Sequence, residues 1–237
     1  MPGSILKSGA RKLIFKNFPR LIIISLIYVV FFTVVSWLSF RLPFGVIWQD
    51  TIDSLMSGEL PGTDIIFSGF RPVGLLLAVL LSLIQPVLDV GFISYCLKIN
   101  RNQTTEYKDL LNGFLFFLKA ISIFLLTAFF VFLWSLLLII PGIIASYKYR
   151  LAFYILLDDP DKSALQCISE SKLIMHGSKL DLLTIDISFI GWYILDFIFI
   201  LVIPLPFVIP LVSVWIAPYV GLTRAAFYED RVSGIAV

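Results

Sequence analysis

The chain has 237 residues, of which 59% are hydrophobic and only 14% charged, with a net charge of +2 and a mean hydropathy of +0.97. A soluble domain carries about a quarter charged residues, so one water-soluble core cannot hide this much apolar surface and lipid must be part of the solvent. The small net charge also argues against nucleic acid as a partner, because such binding needs an excess of Lys and Arg.

The first apolar run, 21–40, is bracketed by Arg20 and Arg41. It is too long for a signal-peptide core and no A-x-A-like site follows, so it reads as a retained first span. Residues 43–70 contain Asp50, Asp53, Glu59 and Asp64 but no Lys or Arg before Arg71, and their Ser, Gly and Pro content predicts an irregular outer loop. The second span is expected at 72–97, tilted and tolerating Pro86. The third is expected at 114–140, stopped by Pro141-Gly142. A short segment, 143–157, carries Lys148 and Arg150. The fifth and sixth spans fall at 180–203 and 207–223, joined by a tight turn at Pro204 and Pro206, with Pro210 and Pro218 predicting a kink in the last.

The distribution of positive charge decides whether 143–157 crosses. If it does, thirteen Lys and Arg outside the spans lie on one side and only Arg41 and Arg71 on the other. If it does not, everything beyond it inverts and the split becomes eight against seven. Cytoplasmic loops hold the excess of Lys and Arg, which selects six spans with both termini cytoplasmic. Trp37, Trp48 and Trp134 then fall near the outer boundary, as an interfacial aromatic belt would place them.

An internal repeat underlies the pattern. Lys12-Leu-Ile-Phe-Lys-Asn17, Lys108-Asp-Leu-Leu-Asn-Gly113 and Lys172-Leu-Ile-Met-His-Gly177 each set a Lys before an apolar patch and a turn residue, shortly before an odd-numbered span. Arg150-Leu-Ala-Phe-Tyr154 and Arg224-Ala-Ala-Phe-Tyr228 end two even spans alike, and acidic residues follow both. The expected fold is therefore all-α: one integral membrane domain over 1–237, a polytopic bundle of about six transmembrane helices in three hairpins (20–97, 113–157 and 179–223). Cytoplasmic interfacial helices over 5–18, 105–112 and 163–176 lead the hairpins in. In the last of these, Ser163 and Gln166 fit a capping box.

Ionisable residues inside spans are costly and mark the positions of interest. Counting inward at roughly 1.5 Å per residue puts Asp89, Lys148, Arg150 and Asp186 in one layer about 10–14 Å from the inner surface. They are expected to form a buried charge cluster in which Arg150 and Lys148 pair with Asp89 and Asp186. Such a cluster either fixes helix register or marks a pathway. Asp196 lacks a basic partner at its depth and is a candidate protonated intramembrane acid. Asp186 and Asp196 are ten residues apart, about 80° around a helix, and so do not make a carboxylate dyad. The one histidine, His176, sits beside Gly177 at a helix end, and Cys96 and Cys167 both fall in the inner half. No catalytic residue, metal site or cofactor is expected.

The run from Ile140-Pro-Gly142 through Ser146-Tyr-Lys-Tyr149 to Asp158-Asp-Pro160 is followed by Ser169-Glu-Ser-Lys172 and Met175-His-Gly177. Next come Asp186-Ile-Ser-Phe-Ile-Gly-Trp192, Pro218-Tyr219 and Ala226-Phe-Tyr-Glu229. Together these resemble the bacterial integral-membrane family called domain of unknown function 975, over about 134–230. The layout is more distantly similar to the membrane domain of glycerophosphodiester phosphodiesterases. The resemblance implies a six-helix protein of the bacterial plasma membrane and transfers no catalytic residue. The expected function is non-catalytic: binding membrane lipid, an amphiphilic peptide or a partner protein (a homo-oligomer included) in envelope homeostasis. The alternative is a small transporter or permease working through the charge cluster.

Overall fold

The structure, a computed structural model, describes residues 2–58, 72–202 and 210–235, and every regular element among them is a helix. In chain order these are α1 (Gly3–Lys16), α2 (Arg20–Ser57), α3 (Pro72–Ser82), α4 (Gln85–Asn100), a 3-10 segment (Tyr107–Phe116), α5 (Phe117–Leu137) and α6 (Ile139–Lys148). They continue with α7 (Ala152–Asp158), α8 (Ala164–Ile174), α9 (Lys179–Ile187), α10 (Ile190–Val202) and α11 (Leu211–Ile235). Four stretches among the described residues are long and apolar enough to cross a membrane: Arg20–Ser39, Pro72–Asn100, Tyr107–Leu137 and Lys179–Phe199. The expected fourth and sixth spans are not among them. α6 and α7 are individually short, and α11 carries Arg224, Glu229, Asp230 and Arg231.

The chain divides into two compact units, residues 30–85 and residues 1–29 with 86–237. In the first, α2 runs on past Arg41 to Ser57, which corrects the expectation of irregular structure beginning at Pro43. The sequence stays rich in apolar residues beyond Pro43, with Phe44, Val46, Ile47, Ile52 and Leu55, and the helix yields only before Gly58, whose φ of 79° suits glycine. Glu59, Asp64 and Arg71 lie outside the described residues, and nothing is described of the side chains of Trp48, Asp50 and Asp53. The Ser39 hydroxyl donates to the Ala78 carbonyl at 3.4 Å and the Gln85 amide to the Ser36 hydroxyl at 3.0 Å, an antiparallel pairing.

The larger unit is built around two further antiparallel pairings. Along α5, Gly142 lies against Ser135, the Tyr149 ring is 5.9 Å from that of Phe130, and the Lys119 ammonium meets the Pro160 carbonyl. Residues 139–160 therefore retrace the whole of α5. Pro141 and Gly142 do not end the third span as expected. α5 ends at Leu137, Leu138 is extended, and Pro141 sits in the first turn of α6, where its missing N–H costs nothing. In the second pairing, Asp181, Asp186, Phe189 and Asp196 meet Arg231, Arg224, Tyr219 and Val212 in turn. Pro218 lies inside α11, while Pro204 and Pro206 lie outside the described residues.

Two glycines allow two backbone segments to approach closely. A Cβ on Gly91 would stand 1.8 Å from the Leu110 carbonyl oxygen, and one on Gly113 would stand 1.8 Å from that of Val87. α4 and the 3-10 segment thus pack backbone to backbone, which only residues without side chains permit. Outward surfaces are apolar, with Leu118, Phe129, Phe132 and Leu136 all exposed on α5. The packed interior includes Tyr95, Ile123, Phe189, Leu222 and Phe227.

Helices occur near the three stretches expected to lead in the hairpins, with other bounds. α1 buries Leu6, Ala10 and Ile14, one stripe at i, i+4 and i+8, against α9 and α11. Lys7 reaches the Ser188 hydroxyl and lies 4.8 Å from the Phe189 ring centroid. The stretch before α5 is a 3-10 helix, with a reciprocal Glu106–Asp109 capping box. α8 opens on the expected box: Ser163 N–H donates to the Gln166 side chain at 2.8 Å, and Gln166 N–H donates back to the Ser163 hydroxyl at 3.3 Å.

α8 also mends a break. Between α6 and α7 the helical ladder is interrupted at 149–151, which frees backbone groups that need partners. The fully buried Ser171 hydroxyl donates to the Lys148 carbonyl at 2.9 Å and accepts the Leu151 N–H at 3.1 Å.

Candidate functional site

The polar centre of the larger unit grows from the two Arg-x-Ala-Phe-Tyr stretches that the sequence repeats. The fold brings them side by side. Tyr154 and Tyr228 have ring centroids 5.1 Å apart, and Asp158 and Glu229 converge on the Arg101 guanidinium at 2.8 and 2.7 Å. The Tyr228 hydroxyl donates to Asp158 at 2.7 Å. Burial opposes the charge on Arg101, but hydrogen bonds to Asp158 and Glu229 outweigh it and hold its pKa above the ordinary arginine value. Burial and the Asp158 carboxylate together push the Tyr228 hydroxyl well above its ordinary pKa. One end of α4 is thereby bonded to the ends of α7 and α11.

Deeper in the unit, Asp186 on α9 accepts from Arg224 Nε at 3.1 Å and Nη2 at 2.9 Å through one oxygen, and from the Tyr147 hydroxyl at 3.2 Å through the other. Its ion-pair partner is thus Arg224, not the Arg150 or Lys148 expected from depth counting. The reason is geometric. Lys148 and Arg150 are two positions apart, and about 100° per residue sends such neighbours to opposite sides. Lys148 ends α6 facing α5, its ammonium 5.0 Å from the Trp134 ring centroid. Arg150, beyond the end of α6, lies within electrostatic reach of Asp89, Asp186 and Arg224 and makes no ion pair or side-chain hydrogen bond among the described residues.

Asp89 takes a third arrangement. It accepts from the Tyr28 hydroxyl at 2.6 Å, and the Tyr28 ring stacks on Phe92 at 4.4 Å. Among the described residues Asp196 has no basic partner either, but it does not stand alone. Its carboxylate accepts the Val212 N–H at 3.0 Å and the Ser213 hydroxyl, which caps the first turn of α11. The structure therefore gathers Asp89, Arg150 and Asp186 with the unforeseen Arg224 and Tyr147, and sends Lys148 and Asp196 elsewhere.

Among the described residues, no three His, Cys, Asp or Glu side chains converge to hold a metal ion, and Cys96 and Cys167 are free and buried. His176 precedes Gly177, whose φ of 80° closes the end of α8.

Residues 135–233 match the family described as "Protein of unknown function (DUF975)". This region is similar to that family. It contains Tyr147, Arg150, Ser171, Asp186, Asp196 and Arg224, whereas Tyr28, Asp89, Gly91 and Gly113 precede it. No curated protein and no solved structure matches the chain, so the likeness to phosphodiesterase membrane domains stays an expectation.

Proposed function

We propose that this chain is a six-span, non-catalytic protein of the bacterial plasma membrane, both termini cytoplasmic, that binds membrane lipid around its inner rim. The observation that carries the lipid reading is the outward face of α1. While Leu6, Ala10 and Ile14 dock inward, Ile5, Phe15 and the following Phe18 are exposed beside the exposed Arg11, Lys12 and Lys16. Apolar rings and ammonium or guanidinium groups on one outward surface match the acyl boundary and the anionic headgroups together.

Six spans are supported by the antiparallel course of 139–160 along α5. A chain leaving the far end of α5 at Leu138 meets Lys119, near its start, by Pro160. The positive-charge asymmetry points the same way. With Cys96 and Cys167 buried, a single introduced cysteine reports its own side. Lys16→Cys and Lys172→Cys should react with a membrane-impermeant maleimide only in inside-out vesicles, and labelling of Lys172→Cys from the outer face would refute the six-span arrangement.

Lipid binding is tested by native mass spectrometry of the protein released from nanodiscs. The wild type should keep several phospholipids, and the Arg11→Gln/Lys12→Gln double variant should keep fewer. A wild-type protein that emerges free of lipid would sink the reading.

A further inference from the structure

The ion pairs of the inner side, as the six-span reading orders it, leave a surplus of one sign. Arg101 takes Asp158 and Glu229, and Lys162 takes Asp159 and Glu170. Lys98 takes Asp109, and Arg231 takes Asp181. Outside the spans, among the described residues of that side, Asp161 is the one acid left without a cation. Cations are left over in greater number. Arg11, Lys12 and Lys16 on α1 and Lys172 on α8 all lack an acid among the described residues. The 3-10 segment differs, because its Lys108 is held by Glu106 at 2.7 Å.

The three lead-in segments place these lysines alike. Lys12, Lys108 and Lys172 stand at the same position of the repeat and are all exposed, whereas the residue two further on is buried in each: Ile14, Leu110 and Ile174. On α8, Leu165, Lys172 and Leu173 fall within an arc of about 100° at the helical repeat. The two leucines are 55% and 72% exposed, and the opposite face is buried through Cys167, Ser171 and Ile174. An uncompensated ammonium flanked by apolar side chains thus repeats, on a second helix, the pattern of the outward face of α1.

We propose that the exposed arc of α8 around Lys172 is a second seat for anionic phospholipid, and that the 3-10 segment is not a third because Glu106 neutralises Lys108. The leucines meet the acyl boundary while the ammonium reaches the headgroup phosphate. Charge decides between the segments: an unpaired lysine attracts an anionic leaflet, and one with a carboxylate beside it presents no net charge to it. This inference rests on the lipid-binding reading, to which it adds a second place and a lead-in segment that lacks one.

Native mass spectrometry of the protein released from nanodiscs of mixed phosphatidylcholine and phosphatidylglycerol reads the preference for the anionic lipid. Lys172→Gln should lower it about fivefold, the worth of one lysine near an anionic surface. Lys108→Gln should leave it within about twofold of wild type, and Glu106→Gln, which frees Lys108, should raise it about fivefold. The glutamine keeps a carbonyl acceptor for the cap that Glu106 makes. Equal effects of Lys172→Gln and Lys108→Gln, or a Glu106→Gln variant that gains nothing, overturn the proposal. Lipid retention without headgroup preference also overturns it while leaving lipid binding intact, whereas a wild type free of lipid removes the lipid reading and this seat with it. An acidic protein that co-purifies with wild type and is lost from Lys172→Gln, with lipid retention unchanged, would assign the arc to a protein and overturn the lipid seat.

Discussion

Asp186→Ala should cost roughly 3–5 kcal/mol of folding stability, the range for removing one partner of a buried ion pair. The carboxylate is the common acceptor for Arg224 and Tyr147, and its side chain and that of Arg224 are only 14% and 25% exposed. Without it, Arg224 loses its acceptor and stands near an unpaired Arg150, so like-charge repulsion is added to lost pairing. Arg224→Ala should cost less, because Arg150 still attracts the vacated carboxylate electrostatically. Arg150→Ala should be the mildest of the three. The double variant Asp186→Ala/Arg224→Ala should recover part of the loss, because it leaves neither charge stranded. Unfolding in mixed detergent micelles, followed by helical circular dichroism, gives the ranking. Equal losses for Arg150→Ala and Arg224→Ala would mean that the ion pair has been assigned to the wrong arginine.

Gly113→Ala and Gly91→Ala form the second large effect, of opposite physical origin. Here nothing is removed. A methyl group is added where a carbonyl oxygen already stands 1.8 Å away. Overpacking commonly costs about 1–3 kcal/mol and more when backbone has to part, and the atoms in the way are backbone. Each variant should therefore lose at least that much stability, and the two together less than the sum, because one displacement of the 3-10 segment relieves both. Gly9→Ala is the control. It lies inside α1 with nothing within 4 Å of the added carbon, and should be neutral or stabilising by about 0.5–1 kcal/mol. If all three variants melt alike, the close approach of α4 to the 3-10 segment is not as described.

Hydrophobic runs made the helical class and four membrane-length stretches legible in the sequence, because twenty apolar residues have few other uses. The capping box at Ser163 was legible for a similar reason: it is a local contract between residues three apart. What lay hidden was which side chains meet. Depth counting put Asp89, Arg150 and Asp186 in one layer and so found most of the polar centre, but depth says nothing of azimuth. Depth alone therefore includes Lys148 and leaves out Arg224, which lies just beyond the expected sixth span. The signal for Arg224 lies in the repeat, where it occupies the position of Arg150. Tyr28, Tyr147 and Tyr154 gave no signal, since tyrosines are ordinary in an aromatic-rich membrane chain. Ser171 lay within the stretch that carries the family resemblance, yet no rule of sequence says that a serine in a surface helix will mend a different one.

That serine bears on how the chain is made. The carbonyl of Lys148 and the N–H of Leu151 are completed by a side chain 23 and 20 residues further along, respectively. While the ribosome is still adding those residues, the 139–158 segment carries two backbone groups with no protein partner. Its bonding closes out of order, only after the chain has turned at Pro160 and α8 has folded back beneath it. The fourth segment is thus not an independent element of insertion but the earlier half of a joint whose pin is translated later.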